Sequence, residues 1–435
     1  MNVFRRGAVR IAGLEPVVVA LAAPFLLFPT LRPAVTLAAC AALVVVWLAR
    51  WAGHGRPGAR TPLDVALLLL AVMIPVGVWA SAFPDLTIPK LTGLLLGLAV
   101  FRATVNAAGS PRRLWAASLI FLALGLGLVA VGTISADWFV KWPALEPILS
   151  RIPHLFGGLP GAEEGIHLNE LAGTILLVLP VLVSLVWVRE PWRARARVLL
   201  QALGLSLAAA TAALLFLTQS RSAWIGAGAA AAVMAWLLWP RLHRLMVIGV
   251  VVLVLILLYV GPQELFGSVF TASSFEQTNR LTSTQNLEGR MVVYDHALRI
   301  IGEFPVTGVG LGAFREAAFV LYPGFSQLHS PQIAHAHNLF FQAALDLGIP
   351  GLVAYLALVG TAVWIGWRAA RPDGGEFRWL GLGIAGSLVA FHAYGLTDAV
   401  ALGAKPGVAL WMLLGLSAAL WAVAGQGAGQ TAETP

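Results

Sequence analysis

AHNLFFQAALDLGIPG, residues 336–351, puts a His-Asn pair at the head of an amphipathic helix, directly after a long polar loop and ahead of another apolar run. It sets a titratable imidazole at the boundary of a membrane-spanning segment. On both sides of it the chain is a succession of apolar runs of the length that a bilayer demands.

Composition agrees with that reading. Hydrophobic residues make up 59% of the 435-residue chain and charged residues 11%, less than half of the roughly 25% charged residues usual in soluble domains. Mean hydropathy is +0.84. The formal net charge of +8 would suit nucleic acid, but the basic residues lie in short clusters between apolar runs, where membrane topology explains them. No nucleic-acid partner is expected. The single cysteine, Cys40, sits in an Ala/Val/Leu run, so neither a disulfide framework nor a cysteine-based metal site can be built from this chain.

A bilayer core takes about 20 mostly apolar residues in helical form. About twelve runs meet that criterion, near 15–31, 33–49, 63–82, 91–107, 114–134, 168–188, 198–218, 222–239, 245–261, 350–367, 379–396 and 406–424. The expected fold is therefore an all-α integral membrane protein. Arg5, Arg6 and Arg10 ahead of the first run resemble the start of a signal peptide, but no small-residue cleavage site follows, and the run reads as an uncleaved helix. Lys/Arg bias sets the orientation. One side collects Arg50, Arg56 and Arg60, then Arg112 and Arg113, Arg189 to Arg197, Arg241 and Arg244, and Arg368 to Arg378. That side, with both termini, is read as cytoplasmic.

Two long connections then face outward, 135–167 and 262–348. Loops of that length are commonly functional, so chemistry is expected on the outer side. The resulting division is 1–261, helices 1–9 with the outer loop at 135–167; 262–348, the large outer loop; 349–424, helices 10–12; and 425–435, a disordered cytoplasmic tail. Within the large loop, EGRMVVYDHALRIIGEFP (288–305) has the apolar spacing of an amphipathic helix ending at Pro305. The chain contains no internal repeat.

The outer side carries the residues with chemistry in them. His337 is either a polar helix start, with Asn338 as its cap, or a general base, since imidazole titrates near neutral pH. His335 makes an HxH pair with it, but the loop offers no third and fourth ligands at zinc spacing, His329 included. No metal is expected. Arg221, in LTQSRSAW, lies close to hydrocarbon at the junction of two spans, where an arginine is costly and by default functional; the alternative is snorkelling. Arg290 heads the amphipathic loop helix, unfavourably for the helix dipole, which favours a role in binding anions; a simple salt bridge to Glu288 or Glu264 is the alternative. Arginine forks bind phosphate oxygens in pairs, so an outward site with several arginines would suit a pyrophosphate-bearing lipid. Arg280, Arg299 and Arg315 are further candidates. Asn169 and Glu170 enter the sixth span as cap or cavity residues, and Asp346 and Asp398 lie at outer helix ends. GVGLGAF (308–314) matches a loose dinucleotide fingerprint without a βαβ unit, and reads instead as a tight turn that lets backbone approach backbone or a phosphate.

Taken in order, NELAG (169–173), LTQSRSAW (217–224), GRMVVYDHALRIIGEFPVTGVGLGAF (289–314) and HAHNLFFQAALDLGIPG (335–351) resemble the O-antigen ligase and polymerase superfamily of integral membrane glycosyltransferases. The likeness covers roughly 167–360; the first third shares only hydropathy. It implies transfer of a glycan from an undecaprenyl-diphosphate carrier at the periplasmic face of the bacterial inner membrane, without metal or other cofactor. In the ligase branch the acceptor is a sugar hydroxyl of the lipid A core. By motif position His337 would be the catalytic residue and Arg221 and Arg290 would bind the diphosphate, with Asn338, Asn169, His335, Arg280 and Arg315 in support. Direct attack of the acceptor would invert the anomeric carbon.

The same motifs suit an O-antigen polymerase, whose acceptor is a second carrier-linked glycan, or a protein O-oligosaccharyltransferase. Length and the single large loop favour the ligase. A transporter would show ionisable groups at mid-span, for which Glu170 and His392 are the candidates, but most charges here collect at the outer boundary and in the long loop. The sequence does not reveal an oligomeric state.

Overall fold

The computed structural model describes residues 3–155, 166–189, 192–260, 287–322 and 335–431. Sixteen α-helices account for most of them, and among the described residues there is no strand, only an isolated bridge between Ala136 and Ile166. In chain order the helices are α1 (Val3–Gly13), α2 (Glu15–Leu27), α3 (Pro33–His54), α4 (Asp64–Ala80), α5 (Pro84–Ala107), α6 (Pro111–Ser135), the single turn α7 (Glu146–Leu149), α8 (Leu168–Ser184), α9 (Ala194–Leu217), α10 (Arg221–Leu238), α11 (His243–Val260), α12 (Leu287–Glu303), α13 (Phe314–Leu321), α14 (Leu339–Ala370), α15 (Arg378–Tyr394) and α16 (Gly407–Thr431).

Nine helices among the described residues are long and apolar enough to cross a membrane, or ten if α1 and α2, bent by 52° at their junction, form one broken span. That is fewer than the twelve expected. α4 is apolar but falls short at 17 residues, and α15 has the same length. The architecture fits an integral membrane protein. Large apolar side chains stand exposed along α3, α4, α9 and α11, among them Leu37, Val65, Leu199 and Leu258, where only lipid would satisfy them.

The centre of the bundle is α15, packed on α8, α10 and α14; α16 packs on α5 and α6, and α14 on α4. α15 carries few charges and many small residues, so its neighbours approach closely. Its wholly buried Trp379, Phe391 and Tyr394 fill the space between them.

The amphipathic segments of the large loop form a second, smaller layer. α12 ends just before Pro305, as its pattern predicts. Val293, Ala297 and Ile300 of α12 share a core with Phe314 and Ala318 of α13 and with Ala336 and Leu345. This layer is tied to α14 by backbone. The Val309 N–H donates to the Leu345 carbonyl at 2.8 Å, and the Ile349 N–H donates to the Pro305 carbonyl at 2.7 Å. Two glycines permit the approach. Gly348 breaks α14 with φ 70° and ψ 175°, and a Cβ there would fall 2.0 Å from the Val306 carbonyl oxygen; one on Gly308 (φ 63°) would fall 2.3 Å from that of Leu345. Pro350 removes a further helical donor at the break. GVGLGAF is thus the tight turn its glycines predict, with backbone as its partner.

α16 runs to Thr431, into the stretch from 425 that reads in the sequence as a disordered tail. Extending an existing helix avoids the cost of nucleating one, so its glycines and glutamines need little intrinsic helical preference.

Candidate active site

The site forms where the start of α8, the α9–α10 junction, the start of α14, the end of α15 and the first turns of α12 converge. Asn338 caps α14: its side-chain oxygen accepts from the Phe340 and Phe341 N–H groups at 2.9 and 3.0 Å, the arrangement expected of Asn at this position. Its amide Nδ2 also donates to the Leu396 carbonyl at 2.9 Å, and the Leu339 N–H donates to the Gly395 carbonyl at 2.7 Å. The turn after α15 is thereby held against the head of α14.

That turn carries Asp398, 1% exposed. Its Oδ1 accepts from the Ala399 N–H at 2.8 Å and its Oδ2 from Asn169 Nδ2. Asn169 is therefore not the cap of α8; His167 is, accepting from the Asn169 N–H at 3.2 Å. The Tyr394 hydroxyl adds a bond to the Asn169 carbonyl at 2.9 Å.

His337 is 8% exposed and adopts φ 48°, the left-handed region that non-glycine residues enter at a cost of about 1–3 kcal/mol unless the surroundings fix them there. Here they do. The His337 N–H donates to His335 Nδ1 at 3.2 Å, the preceding Ala336 N–H to Gln342 Oε1 at 3.0 Å, and the His337 carbonyl accepts from the Tyr294 hydroxyl at 2.9 Å. Gln342 in turn donates to Asp346 at 2.8 Å, and Asp346 accepts from the Gly312 N–H at 2.9 Å. His337 Nδ1 stands 3.7 Å from Asp398 Oδ1, beyond a hydrogen bond but within reach of a small rotation. Neither ring nitrogen has a hydrogen-bond partner among the described residues.

Burial opposes ionisation of Asp398, but His337, His335 and the Arg290 guanidinium together hold its carboxyl well below the usual range. Burial, reinforced by the charge of His337, pushes His335 down to about 3, so it stands neutral at neutral pH. Lys90 and His167 also bear on His335; Lys90 is a cation of the site that the sequence motifs do not mark.

His335, His337 and Asp398 each bring one ligand atom within 4.8 Å of the others, so the third ligand missing from the loop is supplied by a distant turn. The hydrogen bonds oppose ligation. With His335 Nδ1 accepting from a backbone N–H, the proton of the neutral ring belongs on Nε2, which faces Asp398 Oδ1 at 3.7 Å. A metal would have to displace that proton.

The arginines divide. Arg290, 8% exposed in the first turn of α12, acts on Asp398, Tyr294 and Tyr394. Arg221 opens α10, and the next residue, Ser222, accepts from Thr397 at 2.8 Å, which sets this helix start against the Asp398 turn. Arg315 is instead paired with the adjacent Glu316 at 2.9 Å and 41% exposed, and Arg299 with Asp295; nothing brings either to the histidines. Arg280 lies outside the described residues. His392, the mid-span candidate for transport, is bonded within the bundle to the Tyr355 hydroxyl at 2.6 Å.

Apolar helices around a buried histidine, carboxylate and arginine define a multi-pass membrane protein with an enzyme-like site at one end. Residues 205–356 match the family model described as O-antigen ligase, and this supports membership of the O-antigen ligase/polymerase superfamily. The matched region includes Arg221, Arg290 and His337 but neither Asn169 nor Asp398. No curated protein matches the chain.

Proposed function

We propose that the protein is a lipopolysaccharide O-antigen ligase, transferring a glycan from undecaprenyl diphosphate to a sugar hydroxyl of the lipid A core at the periplasmic face of the inner membrane. One observation carries the reading: a buried His337, locked in a left-handed backbone, turns Nδ1 toward Asp398, and its Nε2 has no partner among the described residues. In its base form the ring holds its proton on Nδ1, oriented by the carboxylate, and offers the Nε2 lone pair to the acceptor hydroxyl.

The step balances as a single displacement. His337 takes the acceptor proton as the acceptor oxygen bonds to the anomeric carbon, and the bond from that carbon to the diphosphate oxygen breaks with its electron pair. Charge developing on the leaving diphosphate falls to Arg221 and Arg290, fixed donors in a site poor in water. The anomeric carbon inverts.

The test is glycan transfer by purified protein supplied with carrier-linked donor and core acceptor. His337→Ala is expected to lower the rate at least about a hundredfold; undiminished transfer would sink the base role. In a deletion strain the lipopolysaccharide should lack all O-antigen. Core bearing a single repeat would instead make the protein a polymerase of the same superfamily, and unchanged lipopolysaccharide with lost protein glycosylation would make it a protein O-oligosaccharyltransferase.

A further inference from the structure

Four residues beyond Arg290 on the same helix, and hence on the same face, stands Tyr294. Its hydroxyl lies 2.9 Å from the His337 carbonyl and 3.3 Å from the Leu396 carbonyl. The first belongs to the base; the second lies two residues before its carboxylate partner, Asp398. We infer that Tyr294 is a positioning residue that joins the seating of the Arg290 helix to the alignment of His337 with Asp398, so that the diphosphate-binding arginine and the base are assembled as one unit.

The hydroxyl is placed to matter more than the ring. On the N-terminal side of His337, its own N–H is held by His335 and the preceding Ala336 N–H by Gln342, both from within the same segment. The bond to the His337 carbonyl comes instead from α12, the loop layer. Without it the carbonyl of the left-handed residue loses its bond and its C-terminal side is held only through the Asn338 cap and the turn after α15, so the 3.7 Å separation from Asp398 depends on which way the His337–Asn338 peptide turns. Burial raises the Tyr294 phenol to about 12, so it remains a donor at any pH the protein meets. The ring also packs edge-on against Phe341, with centroids 5.5 Å apart, a contact that phenylalanine would keep.

The inference rests on His337 being the base, and Tyr294→Phe in the full-length protein tests it. The expected result is a fall in kcat of about tenfold with the donor KM within about twofold of the parent, and an unchanged thermal midpoint. Loss of an interaction felt only in the transition state gives that split; a merely structural role would lower the midpoint and scatter both constants. Unchanged kcat overturns the inference, as does a loss carried entirely by a higher donor KM, which would place the hydroxyl's effect on Arg290 alone. An inactive His337→Ala beside a fully active Tyr294→Phe defeats this inference and leaves the base intact, whereas an active His337→Ala defeats the base itself.

Discussion

Asp398 reaches His337 from the opposite end of the α14–α15 hairpin, and its Oδ1 lies 3.7 Å from the imidazole Nδ1 while Asn169 occupies Oδ2. Each carboxylate oxygen therefore has a separate duty. Removing the charge while keeping the shape should show what the first of them does. Asp398→Asn keeps the shape and the bond from the Ala399 N–H, with the Asn169 amide turned over to accept from the new Nδ2, but is expected to lower kcat by about a hundredfold or more, since the ring loses the charge that stabilises its protonated form. Steady-state rates of glycan transfer check this. A variant within threefold of the parent would remove Asp398 from the proton-transfer apparatus.

The arginines make a different demand, for shape as well as charge. Replacing Arg221 or Arg290 by lysine keeps the positive charge but loses the planar fork that grips two phosphate oxygens. Each substitution should weaken donor binding by about tenfold, equivalent to about 1.4 kcal/mol, and a non-transferable lipid diphosphate used as competitor would report it. Arg315→Lys is the control, because that side chain is engaged with Glu316. Equal inhibition constants for all three variants and the parent would separate the arginines from the diphosphate.

Much of this site was legible in the sequence, and the limits of legibility are physical. The HAHN motif and the two arginines stand out because a charged or titratable group beside an apolar run needs a reason to be there. The α12 pattern was equally plain, and so was the glycine turn after it. In the sequence Asp398 is only a charge at an outer helix end, because nothing local links it to His337; the link is the α14–α15 hairpin, closed by the Leu339–Gly395 backbone bond. Tyr294 and Gln342 were silent for a related reason. Each sits in an ordinary helical pattern, and its polar end acquires meaning only from the backbone it meets. The number of runs and the number of long apolar helices among the described residues differ where helices are short or bent, as in α1–α2, α4 and α15, because hydropathy reads apolar length and cannot see a bend.

His335 offers the last prediction, in the dependence of stability on pH. Its half-buried ring is held neutral by desolvation, with a folded value of about 3 against about 6.5 when exposed. Between those two values the unfolded chain binds the proton more readily than the folded protein does, so stability rises with pH across the interval and falls as the solution is acidified from 6.5 toward 3. The slope from this one group approaches, but does not exceed, about 1.4 kcal/mol per pH unit. His335→Gln retains an oxygen able to accept from the His337 N–H and has nothing to titrate. The parent should therefore lose thermal stability between pH 7 and pH 5 more steeply than His335→Gln does, in matched detergent and salt. Parallel losses in the two proteins would mean that His335 takes up its proton in the folded state without penalty, and that the imidazole is not held neutral between His337 and Asp398.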